Sequence, residues 1–290
     1  MRYLLLLAIS VTLLFSCGSD PAEGSAETGG NYTSVVTPNK WPFGIALWTF
    51  HDVDFPTSLK RVDSAGLKYI EPNTFHKAGP ELKDSLLGQL SPGGLTKLSE
   101  LIYKSNLLCR SVYVVGDSTI ASWVKQFEIA KTFGATFVTT EPPLKMLDAI
   151  DSLAGVYGLK VAIHEHWKGV SEYWHPDTTL AALKNHPNFG VCVDLGHFPK
   201  SGIDPLEAVK KFDGRILAIH LKDIAEYNKP ELKDVRVGTG VVKFPEIFKE
   251  LARQKFNGNI YIERDSIEAG GNLVSVKETV KYVNEQLNKL

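Results

Sequence analysis

From Phe43 onward, short apolar runs alternate with longer segments whose apolar residues recur every three or four positions. The runs read FGIALWTF (43–50), LKYIE (67–71), LCRSVYVV (108–115), ATFVTTE (135–141), LKVAIHEH (159–166), FGVCVD (189–194), RILAIHLK (215–222) and NIYIERD (259–265). They are rich in β-branched and aromatic residues and short enough to be buried strands. The segments between them, such as SWVKQFEIAKTFG (122–134) and FPEIFKELARQKF (244–256), carry helical periodicity. Pro205 and Pro245 suit first helical turns, and Gly66, Gly134, Gly158 and Gly258 stand where helices would end. Strands alternating with helices predict a parallel sheet, and eight such units predict a closed (β/α)₈ barrel. An open doubly wound sheet would place a phosphate-binding glycine loop after its first strand, where Thr49-Phe50-His51-Asp52 stands instead. Gly238-Thr239-Gly240, after the seventh run, lacks the remaining glycine of that fingerprint.

The ends of the chain add an address. MRYLLLLAISVTLLFSC has one arginine and an apolar core too short for a membrane span, which fits an export signal. Leu14-Phe15-Ser16-Cys17 resembles the lipobox of bacterial lipoproteins, with Cys17 as the acylated residue; an ordinary cleaved signal or an uncleaved anchor is the alternative. The expectation is an exported lipoprotein facing the periplasm or cell surface, touching the membrane only through its lipid. Residues 18–40 are rich in Gly, Ser, Glu, Thr and Pro and read as a flexible tether. Residues 41–290 remain as one barrel domain, close to the typical size of about 250 residues.

Net charge is −1 and no basic stripe appears, so nucleic acid is not an expected partner. Cys109 and Cys192 fall inside strand runs and read as buried free thiols. No Cys-x-x-Cys spacing suggests a zinc ribbon or redox pair.

Candidate chemistry gathers at the strand ends. Glu141, Asp194, His220 and Glu263 each close an apolar run, and carboxyl ends of parallel barrel strands converge on one mouth. Three carboxylates and a histidine there would hold one divalent cation; manganese suits the set best, and magnesium, cobalt and zinc are compatible. Lys222 lies two residues after His220 on the same side, either to hold an anionic oxygen or as a solvated charge. His164 and His166 share one face of the fifth strand by the same period. Glu71 and His76 after the second strand, and Trp48 and His51 after the first, are candidate pocket walls. Trp48, Trp167 and Trp174 suit the apolar face of a sugar ring, although packing explains any single aromatic equally well.

Five segments carry a family resemblance: TTEPP around Glu141, VDLGH at 193–197, IHLKD at 219–223, VGTGVVKFPEIFKEL at 237–251 and YIERD at 261–265. In this order and spacing the chain resembles the xylose isomerase-like TIM barrels, a group often called sugar phosphate isomerases/epimerases. The resemblance implies that Glu141, Asp194, His220 and Glu263 bind one metal, with Glu141 and Glu263 as the proton-transfer bases. It makes His197 a substrate contact. The keto-inositol dehydratases of this superfamily carry similar histidine-rich ends on the fifth strand, which casts His164 or His166 as substrate ligand or acid/base. The chemistry is coherent: moving a proton beside a carbonyl creates an enediolate that a cation stabilises, and bases on strands four and eight could flank a bound sugar.

The expected activity is thus a metal-dependent isomerase or epimerase acting on a small sugar or keto-sugar. The alternative is a lyase or hydratase on keto-glycosides or keto-glucals, with the same first step. A DNA-repair endonuclease on the same barrel would need a histidine where Asp234-Val235-Arg236 has its arginine, and is rejected. A non-catalytic sugar-binding lipoprotein is the third class.

Overall fold

The computed structural model describes residues 41–290. The expected signal at 1–17, with Cys17, and the tether at 18–40 lie outside the described residues. Eight parallel strand positions form a ring, labelled here β1 (Phe43–Ala46), β2 (Tyr69–Glu71), β3 in two pieces (Leu108–Cys109 and Ser111–Tyr113), β4 (Phe137–Thr140), β5 (Lys160–His164), β6 (Phe189–Asp194), β7 (Ile216–Leu221) and β8 (Asn259–Ile262). Neighbours in sequence are neighbours in the sheet, and β1 pairs with β8. The third strand breaks at Arg110: Leu108 pairs with Tyr69 on one side, and Ser111 with Phe137 on the other. A bridge between Asn73 and Tyr113 joins the two sides above the break. The expected α/β TIM barrel is the fold.

Most apolar runs extend past the strands they contain. FGIALWTF pairs only to Ala46, and Leu47–Phe50 turns as a 3₁₀ helix. Thr49 Oγ1 donates to the Ile262 carbonyl and the Thr49 carbonyl accepts from Asn272, so this turn is pinned to the end of the neighbouring β8 and the loop that follows it. An apolar run alone cannot distinguish a buried turn from a strand.

Helix Phe244–Arg253 is representative of the outer layer. Pro245 sits in its first turn, and Phe244, Ile247, Phe248 and Leu251 are buried at helical spacing against the barrel. Each such side chain contributes about 1.5–3 kcal/mol by burial, and Phe248→Ala would cost about 3–5 kcal/mol. Gly158 ends helix Leu147–Tyr157 in the left-handed region, as its place in the sequence suggests. Gly258 does not serve this way. Helix Phe244–Arg253 stops earlier, Lys255 takes the left-handed conformation, and Gly258 lets the chain pass against the Leu217 carbonyl.

The large apolar layer lies between strands and helices, while a second small cluster fills the barrel interior: Ala46, Phe137, Ala162, Cys192, Ala218 and Tyr261. Cys109 and Cys192 are both buried free thiols. The Gly238-Thr239-Gly240 loop wraps one of the chain's own carboxylates, Asp223, which accepts from the backbone N–H of Ile224, Gly238, Gly240 and Val242. Those amides have no capacity left for a phosphate.

Candidate metal centre

Side chains on one face of a strand recur every second residue. Two residues beyond the interior cluster members Phe137, Ala162, Cys192, Ala218 and Tyr261 come Thr139, His164, Asp194, His220 and Glu263. Two further on stand Glu141, His166, Gly196, Lys222 and Asp265. The small side chains of Ala162, Cys192 and Ala218 leave room for this polar tier above them. A cavity of about 840 Å³ opens over it, with Trp48, Asn73, Tyr113, His166, Trp167 and Asp265 among its walls.

At its base His164, Asp194, His220 and Glu263 are all buried, and one donor atom from each lies within 4.8 Å of the others. Asp194 Oδ2 is 3.6 Å from His164 Nε2 and 3.9 Å from His220 Nδ1, and His220 Nδ1 is 3.7 Å from Glu263 Oε2. Asp194 Oδ2 and Glu263 Oε2 meet only the Lys222 ammonium, at 3.1 and 2.7 Å, and His164 Nε2 and His220 Nδ1 have no hydrogen-bond partner. Buried polar atoms are rarely left so. A tetrahedral ion with ligands at about 2.1 Å separates its donors by about 3.4 Å, close to the spacing found. The residues present fit a divalent cation.

Three of the four expected ligands therefore meet, and the fourth position is filled differently. Glu141 belongs to an adjoining group with His164 and His166. Its Oε1 is hydrogen-bonded to His166 Nδ1 and lies 3.7 Å from His164 Nδ1. On β4 the residue at the level of the centre is Thr139, and Glu141 stands one step higher, just past the strand end at Thr140. His164, expected as a substrate ligand, is the strand-five residue of the four that could hold an ion.

Glu71 lines the cavity, as expected of a pocket-wall residue, but its carboxylate oxygens are engaged within the protein. His220 Nε2 donates to Glu71 Oε1 at 2.8 Å, and Ser111 and Thr139 hydroxyls donate to Oε2. Burial alone would raise this carboxyl, yet the His220 charge and these hydrogen bonds hold it below its ordinary range. The contact fixes the His220 ring so that Nδ1 faces the centre.

Lys222 and His197 also differ from expectation, since neither reaches the cavity wall. Lys222 is 0% exposed, with Nζ 2.7 Å from Glu263 Oε2, 2.9 Å from Asp265 Oδ2 and 3.1 Å from Asp194 Oδ2. It donates to His197 Nε2 at 3.1 Å. Burial works against this ammonium, but Asp194, Asp265 and Glu263 raise its pKa well above the ordinary lysine value. Burial pushes His197 well below the usual histidine range, so it is a neutral acceptor stacked on His166 at 4.6 Å. Burial and the Asp265 and Asp194 charges hold Glu263 well above the ordinary carboxylate range against the pull of Lys222.

His166 is on the wall, its Nδ1 engaged by Glu141. Burial would raise Glu141, but hydrogen bonds with His164 and His166 pull it far below the usual range, so it is a fixed anion. A carboxylate orienting an imidazole at a cavity wall is an acid/base arrangement. Trp48 and His51 do line the cavity, their rings stacked at 4.1 Å. His76 is buried elsewhere, against Ser58 and the Val53 carbonyl. Trp167 is on the wall, whereas Trp174 is outside it. Asn73, Tyr113 and Asp265 were not singled out from the sequence. Asn73 and Asp265 each stand two residues past a strand-end acid, Glu71 and Glu263, so carrying the period past the strand end would have found them.

Comparison with known proteins agrees with this architecture. Residues 59–285 match the family described as xylose isomerase-like TIM barrel. An inosose dehydratase of Clostridium perfringens is 27% identical over 175 residues, covering 54% of this chain and 59% of that protein. The chain spans about half the length of the curated relatives it matches. The crystal structure of an uncharacterised protein from Parabacteroides distasonis is 32% identical, with a TM-score of 0.68 over 85% of this chain and 99% of that one. A structure of the IolI protein with a bound zinc atom shares the fold, with a TM-score of 0.71 at 18% identity over 86% of this chain and 98% of that one.

Proposed function

The chain belongs to the xylose isomerase-like TIM barrel family, and from that premise we propose a divalent-metal-dependent carbon–oxygen lyase. Its substrate would be a ketone derived from a sugar or cyclic polyol. The observation that carries this reading is the His166 imidazole on the cavity wall, oriented by Glu141 and lying next to His164 of the four-residue centre.

His164, Asp194, His220 and Glu263 would hold the ion, and two imidazoles with two carboxylates suit zinc as well as manganese. When bound, the cation supplies Lewis-acid polarisation of a carbonyl oxygen. His166 takes the proton from the carbon beside the carbonyl, and Glu141 stabilises the imidazolium that results. The C–H electron pair becomes the new carbon–carbon double bond as the neighbouring C–O bond breaks. His166 returns its proton to the departing hydroxyl, which leaves as water. Lys222 stays between Asp194, Glu263 and Asp265, keeping their charges compensated.

Epimerisation through Glu141 and Glu263 is less well supported, because Glu141 is committed to His166 instead of facing the cavity. The dehydratase named among the relatives adds weight to loss of water. Isomerisation is the second reading. It is favoured by the place of Glu263 on the cavity wall, where a second proton-transfer group would meet the substrate.

Proton NMR in deuterated water with a panel of keto-sugars and keto-inositols tests the assignment. An enone product with its ultraviolet absorbance supports the lyase. Substrate C–H exchange with an isomeric product and no enone would replace it with the isomerase. Ketones that bind without exchange or turnover would leave only a sugar-binding role.

A further inference from the structure

Lys200 ends the short helix His197–Lys200 that follows β6. It is only 7% exposed, and it forms part of the cavity wall. Its ammonium lies 4.2 Å from the centre of the Trp167 ring, and that ring packs on His197 with centroids 5.3 Å apart. The tip is therefore held on one side by an aromatic face. Among the described residues no carboxylate comes within 4.0 Å of it and no group accepts its hydrogens.

A largely buried lysine without a counterion is uncommon. The carboxylates nearest in influence already have partners. Asp194 and Asp265 are engaged by Lys222, and Asp234 by Arg264. Lys222 shows how this chain satisfies a buried ammonium, with three carboxylates and an imidazole. Lys200 has none of these and faces the cavity. Burial and repulsion from Lys222 lower its pKa, so its charge is costly as it stands and an arriving anion would relieve it.

We infer that Lys200 is an anion subsite of the cavity, and that the natural substrate is an acidic sugar whose carboxylate or phosphate Lys200 holds. The sugar body of that ligand rests on the function proposed above; the anion subsite does not. A charge-assisted contact to a half-enclosed ammonium is strong enough to sort ligands by charge.

Calorimetric titration of the full-length protein, as purified, decides the matter. The ligands are D-glucuronate, D-glucose 6-phosphate, D-glucose, acetate and inorganic phosphate, each against the natural protein, Lys200→Met and Lys200→Arg. At least one acidic sugar should bind the natural protein about tenfold or more tighter than glucose. That preference should collapse to about one in Lys200→Met and persist in Lys200→Arg. Whichever acid is preferred identifies the substrate's group. An undiminished preference in Lys200→Met, or none in the natural protein, overturns the inference. If no sugar binds, acetate and phosphate decide: binding lost in Lys200→Met upholds the subsite and sinks the sugar reading. Anion binding that is absent, or indifferent to the substitution, sinks the subsite itself.

Discussion

Glu71 and His220 stand 149 residues apart in sequence and meet at 2.8 Å inside the barrel, Nε2 against Oε1. The contact settles which nitrogen of His220 faces the centre. Removing the charge of Glu71 should loosen the ring and weaken metal binding about 10- to 100-fold, the usual effect of losing such an orienting partner. Chelator competition on Glu71→Gln measures it. Unchanged affinity would mean that the pair has no part in holding the ion.

His166 and Glu141 act as a unit in the proposed chemistry. His166→Gln should lower kcat by about 10²- to 10⁴-fold, the range for loss of a general acid/base. Glu141→Gln should show a smaller loss in the same direction. Both variants should keep their metal, so activity and metal content measured on the same sample separate this role from a ligand role.

Lys222 compensates Asp194, Glu263 and Asp265 in a fully buried position. Lys222→Met leaves those acids without their cation and should cost about 3–5 kcal/mol of stability in the metal-free protein. Denaturant unfolding measures the change. A variant as stable as the natural protein would show that the ammonium's own desolvation cancels its attractions.

His76 gives a pH dependence separate from the centre. Burial lowers its pKa below the value of 6.5 that it would have when unfolded. Between the unfolded and the lowered folded pKa, the unfolded chain binds a proton that the folded chain does not. This contribution is therefore intact above about pH 6.5 and is lost as pH falls through that window. His76→Gln removes it, so the stability gap between natural protein and variant should narrow on acidification. A gap that stays constant from neutral to acidic pH would contradict the assignment.

The barrel was legible because its strands are buried apolar runs and its helices have one apolar face, and both periods survive in sequence. Strand ends were less so, as FGIALWTF shows by turning after Ala46. Asp194, His220 and Glu263 could be read as a group because each closes its run at the level of the centre. Glu141 closes its run too, but one step higher, and the sequence carries no mark of height along the barrel axis. His164 holds the matching height on the next strand, where the His-x-His pattern alone could not say which imidazole faces the ion. Lys222 could have been solvated by sequence alone; only the fold puts three carboxylates around it.

The central claim is that the centre takes its strand-five donor, His164, with Asp194, His220 and Glu263, while Glu141 stands outside. Element-specific mass spectrometry on the natural protein, His164→Ala and Glu141→Gln tests it most directly. The account predicts about one transition metal per chain in the natural protein and in Glu141→Gln, and loss of that metal in His164→Ala. Metal lost from Glu141→Gln but kept by His164→Ala would contradict it, and would return the fourth ligand to strand four.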